Sequence, residues 1–244
     1  MNIHSFSNNS NGREGNGSLN DSAKLYWSNV PLFTRFIVYT SITIYIMSWI
    51  MISIVLLFCN IPYYTLYEFR IWTLVTTVFV NLNILTLLFA LWSWIDISMK
   101  LENRNGTMHF ILNFFTLNLI IQSIYLTMTI FLSFLFPSVF RQYSAGLWPL
   151  IMSLITIECL NNPEADYSFF FFPVKAKFYP WFLLLFFTIL NQFMIQIDVL
   201  AGILLGYLSF YYIGRFIEIS FTTALSFERL FLFSWMKSFT CNSL

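Results

Sequence analysis

Six apolar segments that carry almost no charged side chains occupy most of this chain. Their approximate ranges are residues 32–58, 72–95, 108–136, 146–160, 178–195 and 199–219. A helix that crosses a bilayer needs ~20 mostly apolar residues, and all segments but the short fourth one reach or approach that length. Only 9% of the 244 residues are charged, against about 25% in a soluble domain. The pattern predicts an all-α membrane protein with six transmembrane helices.

The basic residues indicate which side of the membrane each loop faces. With a cytosolic N-terminus, every Lys and Arg residue except Arg70 and Arg141 falls on the cytosolic side. Because cytosolic loops are enriched in Lys and Arg, six spans with both termini in the cytosol fit best. This layout predicts a disordered tail over residues 1–29, a membrane domain over residues 30–220 and a second tail over residues 221–244.

Several kinds of partner and site are excluded by composition. The net charge is only +1 and no basic patch is present, so a nucleic-acid partner is not expected. The three cysteines, Cys59, Cys159 and Cys241, are far apart in sequence. Neither this spacing nor the placement of His4 and His109 is typical of a metal site. We therefore expect no metal and no cofactor.

Polar residues are rare within the predicted spans. Four carboxylates lie at or near span ends, where we interpret them as interfacial charges in contact with water: Asp96, Glu158, Asp198 and Glu218. Three amides lie inside the third span and are expected to hydrogen-bond between helices: Asn113, Asn118 and Gln122. A transporter would need buried charges or discontinuous helices, and neither is evident in the sequence.

Gly202 and Gly206 form a GxxxG element in the sixth span. Two glycines four positions apart share one face of a helix and let another backbone approach closely. The element predicts tight packing of the sixth span against a neighbouring helix.

Several motifs together resemble the rhomboid superfamily. Arg70-Ile71-Trp72 opens the second span, and Leu101-Glu102-Asn103-Arg104-Asn105-Gly106-Thr107 follows it. With the glycines of the sixth span, the resemblance covers about residues 27–221. It implies a rhomboid-like bundle of six transmembrane helices.

Active rhomboid proteases use a serine from a GxSG motif at the start of the fourth span and a histidine in the sixth span. Polar side chains of the second span support the oxyanion. In this chain the serine position is Ala145 and the histidine position is Val199. The corresponding second-span positions, counted back from Glu102, are Asn81, Thr86 and Ala90. The resemblance therefore implies a protein that is not an enzyme.

Ser144 is the neighbour of the substituted serine position. A serine is a weak nucleophile until a base accepts its proton, and no histidine is placed to do so. We interpret Ser144 as the N-cap of the fourth span.

Within the superfamily, the chain is most similar to the inactive, ER-resident proteins that carry a UBA domain. Gly146-Leu147-Trp148-Pro149-Leu150 and the stretch over residues 158–165 carry this likeness. Derlins are a more distant match, through Pro31, Thr34-Arg35 and the region of Trp72. About 25 residues follow the sixth span, which is too short for a UBA domain, so direct ubiquitin binding is not expected.

The resemblance implies a non-catalytic protein of the endoplasmic reticulum membrane. It would bind transmembrane segments of client proteins and hold them for a membrane ubiquitin ligase complex, in quality control and ER-associated degradation. Two alternatives remain open from the sequence. The first is an active rhomboid intramembrane serine protease, and the second is a small membrane transporter.

Overall fold

Helices form most of the computed structural model, which describes residue 24 and residues 26–169, 172–190 and 196–213. In chain order the helices are α1 (Leu32–Ile50), α2 (Ile52–Phe58), α3 (Pro62–Tyr67), α4 (Thr73–Thr76), α5 (Ile84–Asn105), α6 (Thr107–Ser133), α7 (Trp148–Asn161), α8 (Tyr179–Leu190) and α9 (Ile197–Leu208). Most of the predicted N-terminal tail, the whole C-terminal tail and the end of the predicted sixth span lie outside the described residues.

Short irregular elements connect the helices. Single 3₁₀ turns cover Thr77–Phe79, Pro137–Arg141 and Ala176–Phe178, and a π turn over Ser209–Ile213 follows α9. Two strands, β1 (Asp166–Phe169) and β2 (Phe172–Lys175), form an antiparallel hairpin with Asp166 opposite Lys175. The hairpin occupies the loop between α7 and α8.

Within the described residues, three helices, α1, α5 and α6, are long and apolar enough to cross a membrane. Three shorter apolar helices cover Trp148–Asn161, Ala176–Ile189 and Ile197–Tyr212. These lengths and compositions agree with an integral membrane protein. The count of six spans and the cytosolic placement of both termini stay predictions.

The first two predicted spans are not continuous helices. Met51 is extended, with φ −134°, and separates α1 from α2. In the second predicted span, α4 ends at Thr76, and both Val80 and Asn83 are extended before α5 begins. Asn side chains compete with the backbone for hydrogen bonds and disfavour a helix interior. Helix α5 then continues to Asn105, so Glu102 lies inside this helix and not after it.

Glu102 joins α5 to the beginning of α1. Its carboxylate accepts hydrogen bonds from the backbone N–H groups of Phe33 and Thr34, at 3.2 and 3.0 Å, and from the Thr34 hydroxyl at 2.8 Å. The first N–H groups of a helix have no partner within the helix, and a negative charge is favourable at this end. Glu102 is buried, so it caps α1 from another helix.

An aromatic cluster continues this contact into the core. Phe33, Trp94, Phe110 and Phe114 are buried, and the ring centroids of Phe33 and Phe114 are 5.3 Å apart. Trp94 lies 5.4 Å from Phe114 and 5.8 Å from Phe110, measured between ring centroids. The cluster therefore holds α1, α5 and α6 together. Gly106, with φ +82°, is the single residue between α5 and α6 and permits their sharp reversal.

Arg70 and Trp72 close the end of α2. Arg70 Nη1 donates to the Leu56 carbonyl at 3.3 Å, and Trp72 Nε1 donates to the Leu57 carbonyl at 3.1 Å. The last carbonyl groups of a helix also lack partners within the helix. These two side chains therefore fix the connection between α2 and α4.

Helix α9 packs directly on α7 through its two glycines. A Cβ atom on Gly202 would lie 2.0 Å from the Pro149 carbonyl oxygen, and one on Gly206 would lie 2.5 Å from Thr156 Cβ. Only glycine allows the backbones to approach this closely. Residues 148–153 of α7 are all buried, so this helix lies at the centre of the bundle.

Replacing Gly202 by alanine will lower the stability of the bundle. The added methyl group must push α9 away from the Pro149 backbone, and overpacking of this kind costs about 1–3 kcal/mol. The free energy of unfolding, measured by SDS titration of the purified protein in mild detergent micelles, will show the loss.

Leu204→Ala is the matched control, since Leu204 is on the same helix but exposed. Equal stability of the Gly202→Ala and Leu204→Ala variants would contradict the packing of α9 on α7.

Candidate functional site

Three separate segments meet beside the first turns of α7 and α9. They are the segment around Asn81, the stretch Ser144-Ala145-Gly146 that precedes α7, and Asp198-Val199 at the start of α9. A Cβ atom on Gly146 would lie 2.8 Å from Asn81 Oδ1, and Gly146 has φ +97°. Asp198 lies against the Ser144 hydroxyl and the Ala145 N–H. The chain therefore brings together the three segments in which the sequence resemblance placed the nucleophile, base and oxyanion positions.

The positions that the resemblance assigned to the catalytic pattern differ in exposure and contacts. Ala145 is half-buried, whereas Ala90 and Val199 are buried in the core. The Thr86 hydroxyl donates to the Asn83 carbonyl at 2.8 Å, within its own helical turn. Asn81 is buried, and its Nδ2 group has no hydrogen-bond partner in the part of the chain that the structure describes.

Trp148 connects this region to two helices. Its Nε1 donates to the Thr86 carbonyl at 3.1 Å, and its ring lies 4.3 Å from the ring of Phe187, measured between centroids. Since Phe187 belongs to α8, Trp148 bridges α5 and α8 from the start of α7.

Ser144 is the centre of a buried polar cluster. We call the following residues the Ser144 cluster: Asn60, Thr65, Thr77, Gln122, Ser144 and Asp198. Gln122 Nε2 donates to the Ser144 hydroxyl at 3.1 Å, while Gln122 Oε1 accepts from Asn60 Nδ2 at 2.7 Å. Thr65 donates to Asn60 Oδ1 at 2.7 Å.

The backbone of Ser144 is also fully engaged. Its N–H donates to the Asn60 carbonyl at 2.9 Å, and its carbonyl accepts from the Thr77 hydroxyl at 2.6 Å. All members of the cluster are buried. Because buried polar groups without partners are costly, this set of mutual bonds stabilises the junction of several helices.

Ser144 is not the N-cap of α7. The residue before the helix is Leu147, which is itself in a helical conformation, and no side chain caps the N-terminus. Gly146, with its positive φ, separates Ser144 from the helix, so the Ser144 side chain points to Gln122 instead.

Asp198 does lie at the start of its helix, but it is buried and not at an exposed interface. It is only 7% exposed, and its carboxylate accepts the Val199 N–H at 2.8 Å. The close packing of α9 on α7 covers it. Neither a buried charge nor a discontinuous helix is evident in the sequence. The structure has both, because Asp198 is buried and the second predicted span is broken before α5.

The three amides of the third span have different roles. Asn118 Nδ2 donates to the Leu74 carbonyl at 2.8 Å, and Gln122 bonds to Asn60 and Ser144. For Asn118 the prediction of a hydrogen bond between helices is confirmed, whereas both partners of Gln122 lie in segments that connect helices. Asn113 instead pairs with His109, four residues earlier in the same helix, at 3.2 Å.

Sequence reasoning missed Asn60, Thr65 and Thr77. Asn60 precedes Ile61-Pro62, a turn-like sequence, and the two threonines lie in apolar surroundings. Single small polar residues of this kind carry no recognisable signal until the chain folds around them.

The site holds one carboxylate, hydroxyls and amides. Within the described ranges, no group of three His, Cys, Asp or Glu side chains could hold a metal ion. The available chemistry is hydrogen bonding, with Asp198 as the one charged group of the Ser144 cluster.

Replacing Gln122 by leucine will destabilise the bundle by about 1–3 kcal/mol, because it leaves buried partners of the amide without a hydrogen bond. The same detergent unfolding measurement reports the change.

Ser123→Ala provides the comparison, since Ser123 is exposed and bonds only to a carbonyl of its own helix. A Gln122→Leu variant as stable as Ser123→Ala would show that the cluster does not hold the site together.

The comparison with known proteins agrees with this architecture. No curated protein shows significant similarity to the chain. The rhomboid domain matches residues 68–216, which is more than half of the chain and extends from the end of α3 to just beyond α9. This range includes Asn81, Thr86, Ala90, Ala145 and Val199, to which the resemblance assigned the catalytic pattern. On this match the chain belongs to the rhomboid family.

Proposed function

We propose that this protein is a non-catalytic rhomboid that binds transmembrane segments of client proteins. The observation that carries the proposal is the packing around Ser144. The Ser144 side chain is 0% exposed, and its hydroxyl, N–H and carbonyl all have partners inside the Ser144 cluster. A nucleophile must reach a substrate carbonyl, and this serine is enclosed.

The neighbouring positions support the same conclusion. Ala145 has no hydroxyl group, and Val199 cannot accept a proton. Cys59 is also buried, and burial raises the pKa of its thiol to about 12, so the thiol stays protonated at neutral pH. None of these side chains offers an activated nucleophile.

The short central helix suggests how a client could be accommodated. Helix α7 has 14 residues, which at 1.5 Å per residue is about 21 Å, against a hydrocarbon thickness of ~30 Å. A bundle built around a short helix favours local thinning of the bilayer. Thinner lipid lowers the cost of exposing polar residues in a client span.

Helices α5 and α8 offer an exposed apolar surface for such a client. Both contact Trp148 on their inner faces. On their outer faces, Leu88 is 57% exposed and Leu185 is 60% exposed. We propose that clients contact these two helices. By resemblance to the inactive ER-resident branch, the protein then presents them to a membrane ubiquitin ligase complex for ER-associated degradation.

Site-specific photo-cross-linking in ER membranes tests the binding function. A cross-linking residue at position 88 or 185 is expected to capture membrane polypeptides, and a ubiquitin ligase complex should co-purify from mild detergent. Position 46 is the control, because Ile46 in α1 is also 57% exposed. Capture of lipid alone at all three positions, or equal polypeptide capture at all three, would contradict client binding.

Intramembrane serine proteolysis is a second candidate with one observation in its favour. The Asp198 carboxylate lies against the Ser144 hydroxyl and supplies a proton acceptor that the sequence alone did not place there. The Asn81 Nδ2 group, which has no hydrogen-bond partner among the described residues, is also a potential oxyanion donor.

A fluorophosphonate probe separates the two candidates. We expect no labelling of the detergent-purified protein, since the enclosed Ser144 cannot react. Ser144→Ala is the reference for background labelling. Labelling that disappears in both the Ser144→Ala and Asp198→Asn variants would establish the protease and reject the non-catalytic proposal.

A further inference from the structure

A cavity of about 1110 Å³ lies between α5, α6, α7 and α9, away from the Ser144 cluster. Pockets for small molecules usually measure ~300–1,000 Å³, so this one is large. Most of its lining is apolar and includes Trp94, Phe114, Leu117 and Leu150. On α5, α6 and α7 the lining positions recur every three or four residues, so each helix presents one face to the cavity.

The charged lining residues all lie at one end. Lys100 and Arg104 belong to the last turns of α5, and Glu158 belongs to the last turn of α7. Amide side chains of Asn105, Asn161 and Asn162 lie at the same end. In the predicted topology this end faces the cytosol. The cavity therefore has an apolar interior and a charged opening at the level of lipid headgroups.

The two basic residues are arranged to bind an anion together. Lys100 and Arg104 are four positions apart, on one face of α5. Among the residues the structure describes, neither takes part in an ion pair. Lys and Arg form strong charge-assisted hydrogen bonds to phosphate, and basic sites between transmembrane helices on the cytosolic side bind phospholipid headgroups.

Glu158 adds a negative charge to the same opening. It is half-buried and would repel a ligand that carries phosphate alone. A headgroup with both a phosphate and an ammonium group matches the two cations and the carboxylate at once. An ammonium group that carries N–H donors can also bond to the carboxylate and to amide oxygens, which a trimethylated amine cannot do.

We propose that this cavity binds an aminophospholipid, with its phosphate at Lys100 and Arg104 and its ammonium group at Glu158. An acyl chain then occupies the apolar interior against Trp94, Phe114 and Leu150. This binding site is independent of the client function, because the client surface lies on the outer faces of α5 and α8.

Native mass spectrometry of the full-length protein in mild detergent tests the site. The protein is equilibrated with phosphatidylethanolamine, phosphatidylcholine or phosphatidylglycerol of identical acyl chains, and the bound fraction is measured at each lipid concentration. We expect phosphatidylethanolamine to be retained about 5-fold more than either competitor, since it alone satisfies Glu158 with N–H donors. Inorganic phosphate at the same concentration should not displace it.

Three variants assign the contacts. Lys100→Gln combined with Arg104→Gln should lower retention of all three lipids by about 10-fold, since the charge-assisted bonds to phosphate are lost. Glu158→Gln should remove the preference for phosphatidylethanolamine over phosphatidylcholine. Leu154→Trp keeps the charges but fills the cavity, and it should lower retention of every lipid.

Lys177→Gln is the matched control, because Lys177 is exposed and does not line the cavity. The thermal midpoint of each variant is measured alongside, so that a loss of lipid can be separated from a loss of fold. Retention by the charge and Leu154→Trp variants equal to that of Lys177→Gln would overturn the proposal. Displacement of the bound lipid by inorganic phosphate would overturn it as well. So would cross-linking from a photo-reactive residue at position 154 to a polypeptide, whether another protein or residues 214–244 of this chain.

Discussion

The contact between α7 and α9 is the constraint on which the rest of the site depends. Gly202 lies against the Pro149 carbonyl, at a distance that no side chain permits. Asp198 is one helical turn before Gly202, so the same contact holds the carboxylate beside Ser144 and Ala145, which precede α7. The positive φ of Gly146 turns the chain into α7 at this point. Gly146 and Gly202 therefore fix the positions of Ser144, Ala145 and Asp198 relative to one another.

A second constraint is the need to pair polar groups in an apolar surrounding. The chain does so by joining distant segments. Gln122 from α6 bonds to Asn60 and Ser144, and Thr77 bonds to the Ser144 carbonyl. Glu102 does the same at the other end of α5, where it caps α1. Lipid tails are as apolar as the side chains of the helices, so apolar contacts alone do not favour one helix packing over another. Hydrogen bonds between distant segments give the bundle these specific contacts.

These two constraints give the two sides of α7 different properties. On the side of the Ser144 cluster, side chains fill the space and leave the serine enclosed. Between α5, α6 and α9, the bundle instead leaves a large cavity with a charged opening. The same rhomboid bundle therefore has packed interior on one side of α7 and open space on the other.

The sequence by itself determined the membrane class, the helical fold and the rhomboid family, because low charge, apolar run length and short motifs such as the one around Glu102 are local properties. It also led to the prediction that Ala145 and Val199 occupy the catalytic positions, which rests on the resemblance and stays a prediction. Only the tertiary structure decided that residues 72–95 break before α5, that Asp198 is buried and that Asn60, Thr65 and Thr77 surround Ser144. The physical reason is that burial and hydrogen-bond partners arise between residues far apart in the chain. Asn60 and Gln122, for example, are separated by 62 positions, and no local pattern records that they meet.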